Sequence, residues 1–197
     1  ENSVVENLSP EDNFLIDEFI KNLIKSCYYI LNQNISENNK LKKSYLDFYE
    51  KEFSDNIEIF PETLRKIFLY YKILSSRLND RFDLAYDFCQ KILTFNYTNL
   101  DAIVRLKILK IEALIELEKY ESVNDSLDKL LGYCHFNGLF YHLTQIYIMY
   151  SGYLHRIKFC SRALKLLDTA EEMLKYNTPE DAQMYSYVII NNRILIK

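Results

Sequence analysis

The sequence predicts an all-α fold, namely a right-handed stack of antiparallel helix hairpins preceded by N-terminal helices. Three observations predict it. The chain has 197 residues but only three glycines and three prolines, whereas a sheet protein of this length needs more turn residues. Apolar residues recur at helical spacing along most of the chain. One apolar pattern also recurs at intervals of 38 and 40 residues, which indicates a repeated helix pair.

Proline segments mark three predicted helix starts. Ser9 and Thr178 each precede a proline that is followed by two acidic residues. A hydroxyl at the N-cap accepts backbone N–H bonds, proline fits the first helical position, and acidic residues interact favourably with the helix dipole. The segment around Pro61 is a weaker version without the hydroxyl. Helices are therefore expected to begin near residues 10, 61 and 179.

The other elements follow from the apolar stripes between these marks. A first helix is predicted from residue 10 to about residue 32, then a polar loop over 32–40, then a second amphipathic helix over about 41–53. The remaining helices are expected near 61–78, 82–95, 99–117, 121–133, 139–155, 159–176 and from 179 to the end. A turn is predicted over 134–138, with Gly132 or Gly138 supplying a positive φ. Short loops between such helices make neighbours antiparallel.

The repeated pattern lies on the second helix of each predicted pair. Each set has four residues at successive spacings of three, four and three positions, which places all four on one helix face. The first residue of each set is followed by a smaller one. The three sets are Phe82, Ala85, Cys89 and Ile92; Tyr120, Val123, Leu127 and Leu130; and Cys160, Ala163, Leu167 and Ala170. A small residue there lets two helices approach closely. An irregular helical bundle is the alternative, because this spacing is also ordinary amphipathicity.

Segments 81–85 and 119–130 resemble the second helix of a tetratricopeptide (TPR) repeat, and the resemblance covers about residues 61–197. The first helices match less well, since the Trp, Leu and Gly positions of the family hold Lys107, Lys110 and Ile111 here. The intervals also exceed the usual repeat of about 34 residues. The resemblance implies a TPR-like α-solenoid.

The implied organisation has two parts. An N-terminal helical segment covers 1–60, and TPR-like repeats cover 61–197, divided at about 61–98, 99–138, 139–178 and the start of another from 179. The chain begins with Glu1 instead of methionine and ends in an apolar stretch without a stop signal. We therefore expect a piece of a longer polypeptide.

Composition argues against two classes of function. The formal net charge is −4 and the isoelectric point is about 5.5, so there is no basic excess to neutralise phosphates. The longest apolar runs are far too short to span a bilayer, and no signal peptide opens the chain. We expect a cytoplasmic protein with no membrane contact and no direct nucleic-acid binding by this segment. The four separate cysteines are expected to be buried, reduced thiols: Cys27, Cys89, Cys134 and Cys160.

No set of residues in the sequence indicates a reaction. His135, His142 and His155 lack the close ligand pairs of a zinc site, so surface or capping roles are expected. Cys134 stands beside His135, but nothing marks an oxyanion hole or an orienting acid. Three glycines do not suffice for a phosphate-binding loop. The prediction is a protein without catalytic residues, metal or cofactor.

A binding surface is the better-supported prediction. In stacked helix pairs the first helices line the concave side, and the second-helix pattern sets which residues face it. The predicted concave positions are Ile67, Tyr70, Leu74, Arg77 and Leu78; Arg105, Ile108, Glu112, Ile115 and Glu116; and Gln145, Ile148, Gly152, His155 and Arg156. Such a mixture suits an extended peptide, because apolar pockets take side chains and polar groups hold the backbone. The predicted peptide-binding residues are Tyr70, Arg77, Arg105, Glu112, Gln145, His155, Asn191 and Asn192.

The sequence is also similar to the ligand-sensing halves of peptide-pheromone regulators from low-GC Gram-positive bacteria. The similar features are its richness in Asn, Ile, Lys and Tyr, its long repeats, and the pair Asn191 and Asn192. The resemblance implies a cytosolic domain for transcription regulation and quorum sensing, in which asparagines clamp the backbone of a short peptide. Adjacent residues diverge by about 100° on a helix, so one of the two is expected to face the groove. A plain solvent-facing asparagine is the alternative.

Two other functions stay open. One is a helical-repeat scaffold subunit of a larger assembly, with its exposed aromatic surface covered by protein. The other is action on a phosphorylated partner, because some relatives use a glutamine ahead of the repeats, and Gln33 is the only glutamine in that region. A short peptide or a protein is the expected partner, and a homodimer is left open.

Overall fold

The computed structural model describes residues 10–32, 34–41 and 60–196, and all regular elements in these ranges are helices. The predicted all-α class is confirmed. The chain divides into two compact units, Glu1–Asn96 and Tyr97–Lys197. Within the described ranges, no helix combines the length and the hydropathy that crossing a membrane requires. Gln33 lies outside these ranges.

The first unit contains four described helices. They are α1 (Pro10–Leu31), α2 (Ile35–Leu41), α3 (Glu62–Leu78) and α4 (Phe82–Ile92). Helix α3 packs against both α1 and α4. Phe19 and Leu23 of α1 are buried in one cluster with Phe68 and Tyr71 of α3. The predicted starts near residues 10 and 61 are confirmed.

The predicted loop over 32–40 is wrong, because α2 occupies most of it. The Asn34 side-chain oxygen accepts the Glu37 backbone N–H at 3.4 Å and so caps the helix start. Lys40 Nζ also pairs with Glu37 at 2.6 Å one turn away, and the Ser26 hydroxyl donates to the buried Asn38 amide oxygen. Helix α2 is thus held by polar interactions within its own turns and by one hydrogen bond to α1, although it has no apolar stripe. The helix predicted over 41–53 lies outside the described residues, apart from its first residue.

The second unit contains five helices. They are α5 (Leu100–Glu116), α6 (Tyr120–Phe136), α7 (Leu143–Arg156), α8 (Cys160–Met173) and α9 (Pro179–Ile196). Single 3₁₀ turns, Phe140–His142 and Leu174–Tyr176, precede α7 and follow α8. The predicted start near residue 179 is confirmed. Thr178 caps α9 as expected, since its Oγ1 accepts the Asp181 backbone N–H at 3.2 Å.

The predicted turn over 134–138 begins too early. Helix α6 continues through the buried Cys134 to Phe136, so only Asn137 and Gly138 leave the helix. Gly138 has a φ of 68°, as one of the two glycines was predicted to have. Gly132 lies within α6. The extension follows from the burial of Cys134, which continues the apolar face of Leu127 and Leu130 by one turn.

One turn geometry closes all three helix pairs, α3–α4, α5–α6 and α7–α8. Each pair is joined by three residues, and the middle one has a positive φ: 56° at Asp80, 57° at Glu118 and 69° at Lys158. The next backbone N–H then reaches the carbonyl five residues earlier: Arg81 to Ser76 at 2.8 Å, Lys119 to Leu114 at 3.0 Å, and Phe159 to Leu154 at 2.8 Å. This is the left-handed helix stop usually made with glycine. The chain therefore repeats a hairpin at the intervals seen in the sequence.

The second helices bury the face that the repeat predicts. In each of the three four-residue sets of the repeated pattern, the last three side chains are nearly inaccessible to solvent, and the first side chain is half-buried. Three of the four cysteines are buried as expected, while Cys160 is half-buried, and all four are free thiols. Burial raises the pKa of Cys27 to about 12 and that of Cys134 to about 11. A raised pKa of this kind is typical of thiols buried in a core.

Candidate peptide-binding groove

A groove of about 150 Å³ lies between α5 and α7, both in the second unit. Its lining consists of Glu112, Ile115, Glu116, Met149, Gly152, Tyr153 and Arg156. The lining contains two pairs of residues that are 40 positions apart, Glu112 with Gly152 and Glu116 with Arg156. The turn residues Glu118 and Lys158 are also 40 positions apart, so each pair occupies equivalent positions in two successive hairpins. The groove therefore lies where equivalent faces of two successive first helices meet.

The groove is open beside Gly152, which has no side chain. A Cβ atom built there would meet no atom within 4 Å, so open space adjoins the α7 backbone. The buried Ile115 and half-buried Met149 supply apolar surface. The Tyr153 hydroxyl bonds to Asn124 at 3.1 Å and to the Tyr120 carbonyl at 3.3 Å, so the tyrosine's polar end is satisfied on α6. A volume of about 150 Å³ gives the groove room for one apolar side chain.

An ion pair joins the C-terminal ends of α5 and α7 at the groove. Arg156 Nη1 lies 3.0 Å from Glu116 Oε2, and Nη2 lies 2.5 Å from Oε1, which is the bidentate geometry of strong pairs. The hydrogen bond from Arg156 to Glu116 raises the pKa of Arg156. With Glu112 as a further half-buried carboxylate, the lining combines apolar surface with groups that can bond a peptide backbone.

A second polar cluster is centred on Asp101 in the first turn of α5. The Asp101 carboxylate accepts from Tyr141 Oη at 2.8 Å, from His142 Nε2 at 2.7 Å and from Arg105 Nε at 2.7 Å. Burial acts to raise the pKa of Asp101, but the bonds from Arg105 and Tyr141 outweigh it and hold that pKa below its usual value.

The expected surface or capping role is wrong for His142. Its side chain is buried, and its Nε2 contacts a carboxylate 41 residues earlier in the chain. Because a carboxylate accepts and does not donate, that nitrogen carries a proton. Burial lowers the pKa of His142, and Asp101 offsets part of the effect. Nowhere in the described ranges do three or more His, Cys, Asp or Glu side chains form a group that could hold a metal ion.

The eight predicted site residues lie on four helices. Tyr70 and Arg77 are half-buried on α3 of the first unit. The other six lie in the second unit: Arg105 and Glu112 on α5, Gln145 and His155 on α7, and Asn191 and Asn192 on α9. Of these six, Arg105 and Asn191 are exposed and the rest are half-buried.

The structure brings only part of the predicted surface into one lining. Glu112 lines the groove, together with Ile115, Glu116, Gly152 and Arg156 from the predicted concave stripe, whereas Arg105 pairs with Asp101 instead. Met149 and Tyr153 were not predicted. Each follows a predicted position, Ile148 or Gly152, by one residue, so the groove face of α7 is turned slightly from the predicted stripe. Helical spacing was the available signal, because Met149, Gly152, Tyr153 and Arg156 follow one another after three, one and three residues and so lie on one face.

Asn192 continues the series of Glu112 and Gly152 at one further interval of 40 residues, and it is half-buried. Asn191 precedes that position and is exposed. The two asparagines therefore lie on different sides of α9, as adjacent residues of a helix must. Their role in peptide binding stays a prediction.

Known proteins offer no guide to the use of this groove. Comparison of the chain with protein-family models, with curated protein sequences and with solved structures gives no match. A function must therefore be argued from the groove itself, from its apolar hollow, its bidentate ion pair and its position between two equivalent helices.

Proposed function

We propose that this chain is a TPR-like helical-repeat domain that binds an extended peptide segment in the groove between α5 and α7. The observation that carries the proposal is the hollow beside Gly152, which adjoins a bidentate ion pair and apolar side chains. An extended peptide needs a pocket for a side chain and polar groups along its backbone, and this lining offers both. The proposal assigns the domain no reaction.

The repeated hairpin supports the TPR-like part of the proposal. Stacked hairpins present the same face of each first helix to one surface, which is how helical-repeat proteins build extended binding sites. The groove lining obeys this rule, since Glu112 and Gly152 hold equivalent positions on α5 and α7. We further propose that the ligand is a short signalling peptide and that the domain is the sensor of a peptide-responsive bacterial regulator. The sequence resemblance described above supports this narrower statement.

The proposal is tested by filling the hollow. Gly152→Met should abolish binding to a pool of synthetic peptides of about five to ten residues, the length that one groove accommodates. Gly152→Ala is the matched control, because its single methyl group enters open space and leaves most of the hollow. Native mass spectrometry of each variant with the pool gives the bound mass. Binding that survives unchanged in Gly152→Met, with the fold intact by circular dichroism, would overturn the proposed site.

A scaffold subunit is the second candidate, and one observation favours it. Phe136 at the end of α6 is 90% exposed, and Phe159 at the start of α8 is 60% exposed. Large exposed aromatic residues are enriched at protein interfaces. A stoichiometric subunit that co-purifies with the chain, and that Phe136→Asp releases, would favour the scaffold over the peptide sensor.

A further inference from the structure

The groove between α5 and α7 is negatively charged at the end where both helices finish. Among the described residues, its lining contains two carboxylates, Glu112 and Glu116, against the single guanidinium of Arg156. Helices α5 and α7 end at Glu116 and Arg156, and the C-terminal end of a helix carries a partial negative charge of about half an elementary charge. The fixed charges at this end therefore favour a positively charged ligand group over a negatively charged one.

The charged residues of the two adjoining turns have less influence on a ligand in the groove. Glu118, Lys119 and Lys158 are exposed and lie outside the lining, where water and salt screen their charges. The hydrogen bond to Glu116 has the largest effect in raising the pKa of Arg156, and the charges of Glu116 and Glu118 raise it further. The lining itself therefore sets the charge preference of the groove.

Glu116 can accept a second cation without losing Arg156. An ionised carboxylate can accept about four hydrogen bonds, and the Arg156 guanidinium donates one to each oxygen. The Glu116 side chain is 36% exposed, so a ligand group can reach its remaining lone pairs. A ligand ammonium would bind there by charge and by hydrogen bonds. A ligand carboxylate would instead lie beside Glu112 and Glu116 and be repelled by both.

Apolar surface adjoins this charged end. The hollow beside Gly152 has room for one apolar side chain, and the lining around it includes the buried Ile115 and the half-buried Met149. Arg156 lies one helical turn beyond Gly152 on α7, which is about 6 Å along the helix. In an extended peptide, side chains two positions apart point to the same side and are about 7 Å apart. A peptide can therefore place one side chain in the hollow and a second one at the ion pair.

We infer that the groove selects peptides in which a lysine or arginine lies two positions from an apolar residue. The apolar side chain occupies the hollow beside Gly152, and the cation reaches the carboxylate of Glu116 one turn away. This inference rests on the proposed function of the groove and narrows it to a class of peptide.

Three pools of synthetic peptides test the preference. Each peptide has about seven residues, blocked ends and a central leucine, and the three pools carry lysine, norleucine or glutamate two positions before and after that leucine. Either direction of the peptide then brings one of these side chains to Glu116. By fluorescence anisotropy, the chain should bind the lysine pool about tenfold more tightly than the norleucine pool, and the glutamate pool most weakly. Added salt should reduce these differences.

Two variants should change the preference in opposite directions. Glu116→Gln removes a carboxylate and releases Arg156, so the affinity ratio of the lysine pool to the norleucine pool should fall by about tenfold. Arg156→Gln removes the positive charge of the lining and should raise the same ratio. Glu172→Gln is the matched control, because it removes one carboxylate from an exposed position of α8 outside the lining and should leave the ratio within about twofold.

The outcomes separate this inference from the proposed function. Equal binding of the lysine and norleucine pools would contradict the charge preference but leave the peptide groove standing, whereas three pools that all fail to bind would remove both. An ion pair that only holds the groove open would make Glu116→Gln and Arg156→Gln weaken all pools alike, which would also contradict the preference. So would a lysine preference that persists in Gly152→Met, because the attraction would then lie elsewhere on the chain. Circular dichroism checks that every variant is folded.

Discussion

At the scale of single residues, His142 illustrates how burial and one neighbour set the charge of a side chain. Its ring is buried at the start of α7 and touches Tyr141 and Asp101. Asp101 favours the protonated ring, but the loss of solvent around a buried cation works against it and has the larger effect. The folded protein therefore takes up a proton on this ring less readily than the unfolded chain does.

This difference predicts a loss of stability in mild acid. A histidine whose pKa is lowered by folding contributes stability above its unfolded pKa of about 6.5, and that stability is lost as the pH falls below it. The free energy of unfolding in urea should therefore decrease between about pH 7.5 and pH 5.5. His142→Gln keeps a hydrogen-bonding group but does not titrate, so its decrease over the same range should be smaller. An equal decrease in both proteins would show that other groups dominate.

At the scale of the element, backbone conformation decides what a glycine does. Gly132 lies within α6, where its Cβ position is open, and Gly138 follows α6 with a positive φ. Helical glycine is less stable than alanine because it loses more backbone entropy on folding, whereas a positive φ is strained for alanine. One substitution thus has opposite effects at two positions six residues apart.

We expect Gly132→Ala to stabilise the protein by about 1 kcal/mol and Gly138→Ala to destabilise it by about 1 kcal/mol. Urea unfolding of the two variants beside the parent protein measures both. Each variant serves as the control for the other, because the added atom is the same. Two changes of the same sign would contradict the assignment of the left-handed residue to Gly138.

Much of each helix could be predicted from the sequence, because the signals are local. Pro10 and Pro179 mark helix starts through the missing N–H of proline, and the second-helix pattern identifies the buried face of α4, α6 and α8. The conformation of the turn residues was harder to predict. Asp80, Glu118 and Lys158 adopt a conformation that glycine prefers, so the sequence carried no signal for it. Helix α2 was missed because capping and ion pairing, not apolar spacing, stabilise it.

At the scale of the whole molecule, the unit Tyr97–Lys197 has a core of its own. Val104, Leu127, Leu143 and Leu167 are each fully buried, one on each of α5 to α8. A unit of this size with a contiguous core satisfies the usual conditions for independent folding.

We therefore expect a fragment of residues 97–197 to fold by itself. It should have the far-ultraviolet circular dichroism of a helical protein and a single cooperative urea transition. Leu127→Ala within the fragment is the control for a packed core and should lower its free energy of unfolding by about 3 kcal/mol. A broad, non-cooperative transition would mean that the unit needs the rest of the chain.

The candidate groove could be predicted only in part, for reasons that concern the whole molecule. The concave positions were deduced from the repeated pattern on the second helices, and three of them, Glu112, Gly152 and Arg156, do line the groove. The contacts between elements could not be deduced. Glu116 meets Arg156, and Asp101 meets His142, across about forty residues of chain, and no local pattern reports such pairs.

The shared hairpin turn has a consequence for how the chain is made. Each turn is closed by a backbone bond between residues five apart, so its loop is short and costs little entropy to form. On the ribosome, each hairpin can close as soon as its second helix emerges, without waiting for later sequence. The two helices of each of these hairpins can then pair before the next hairpin emerges, which shortens the time for which the faces between them are exposed during synthesis.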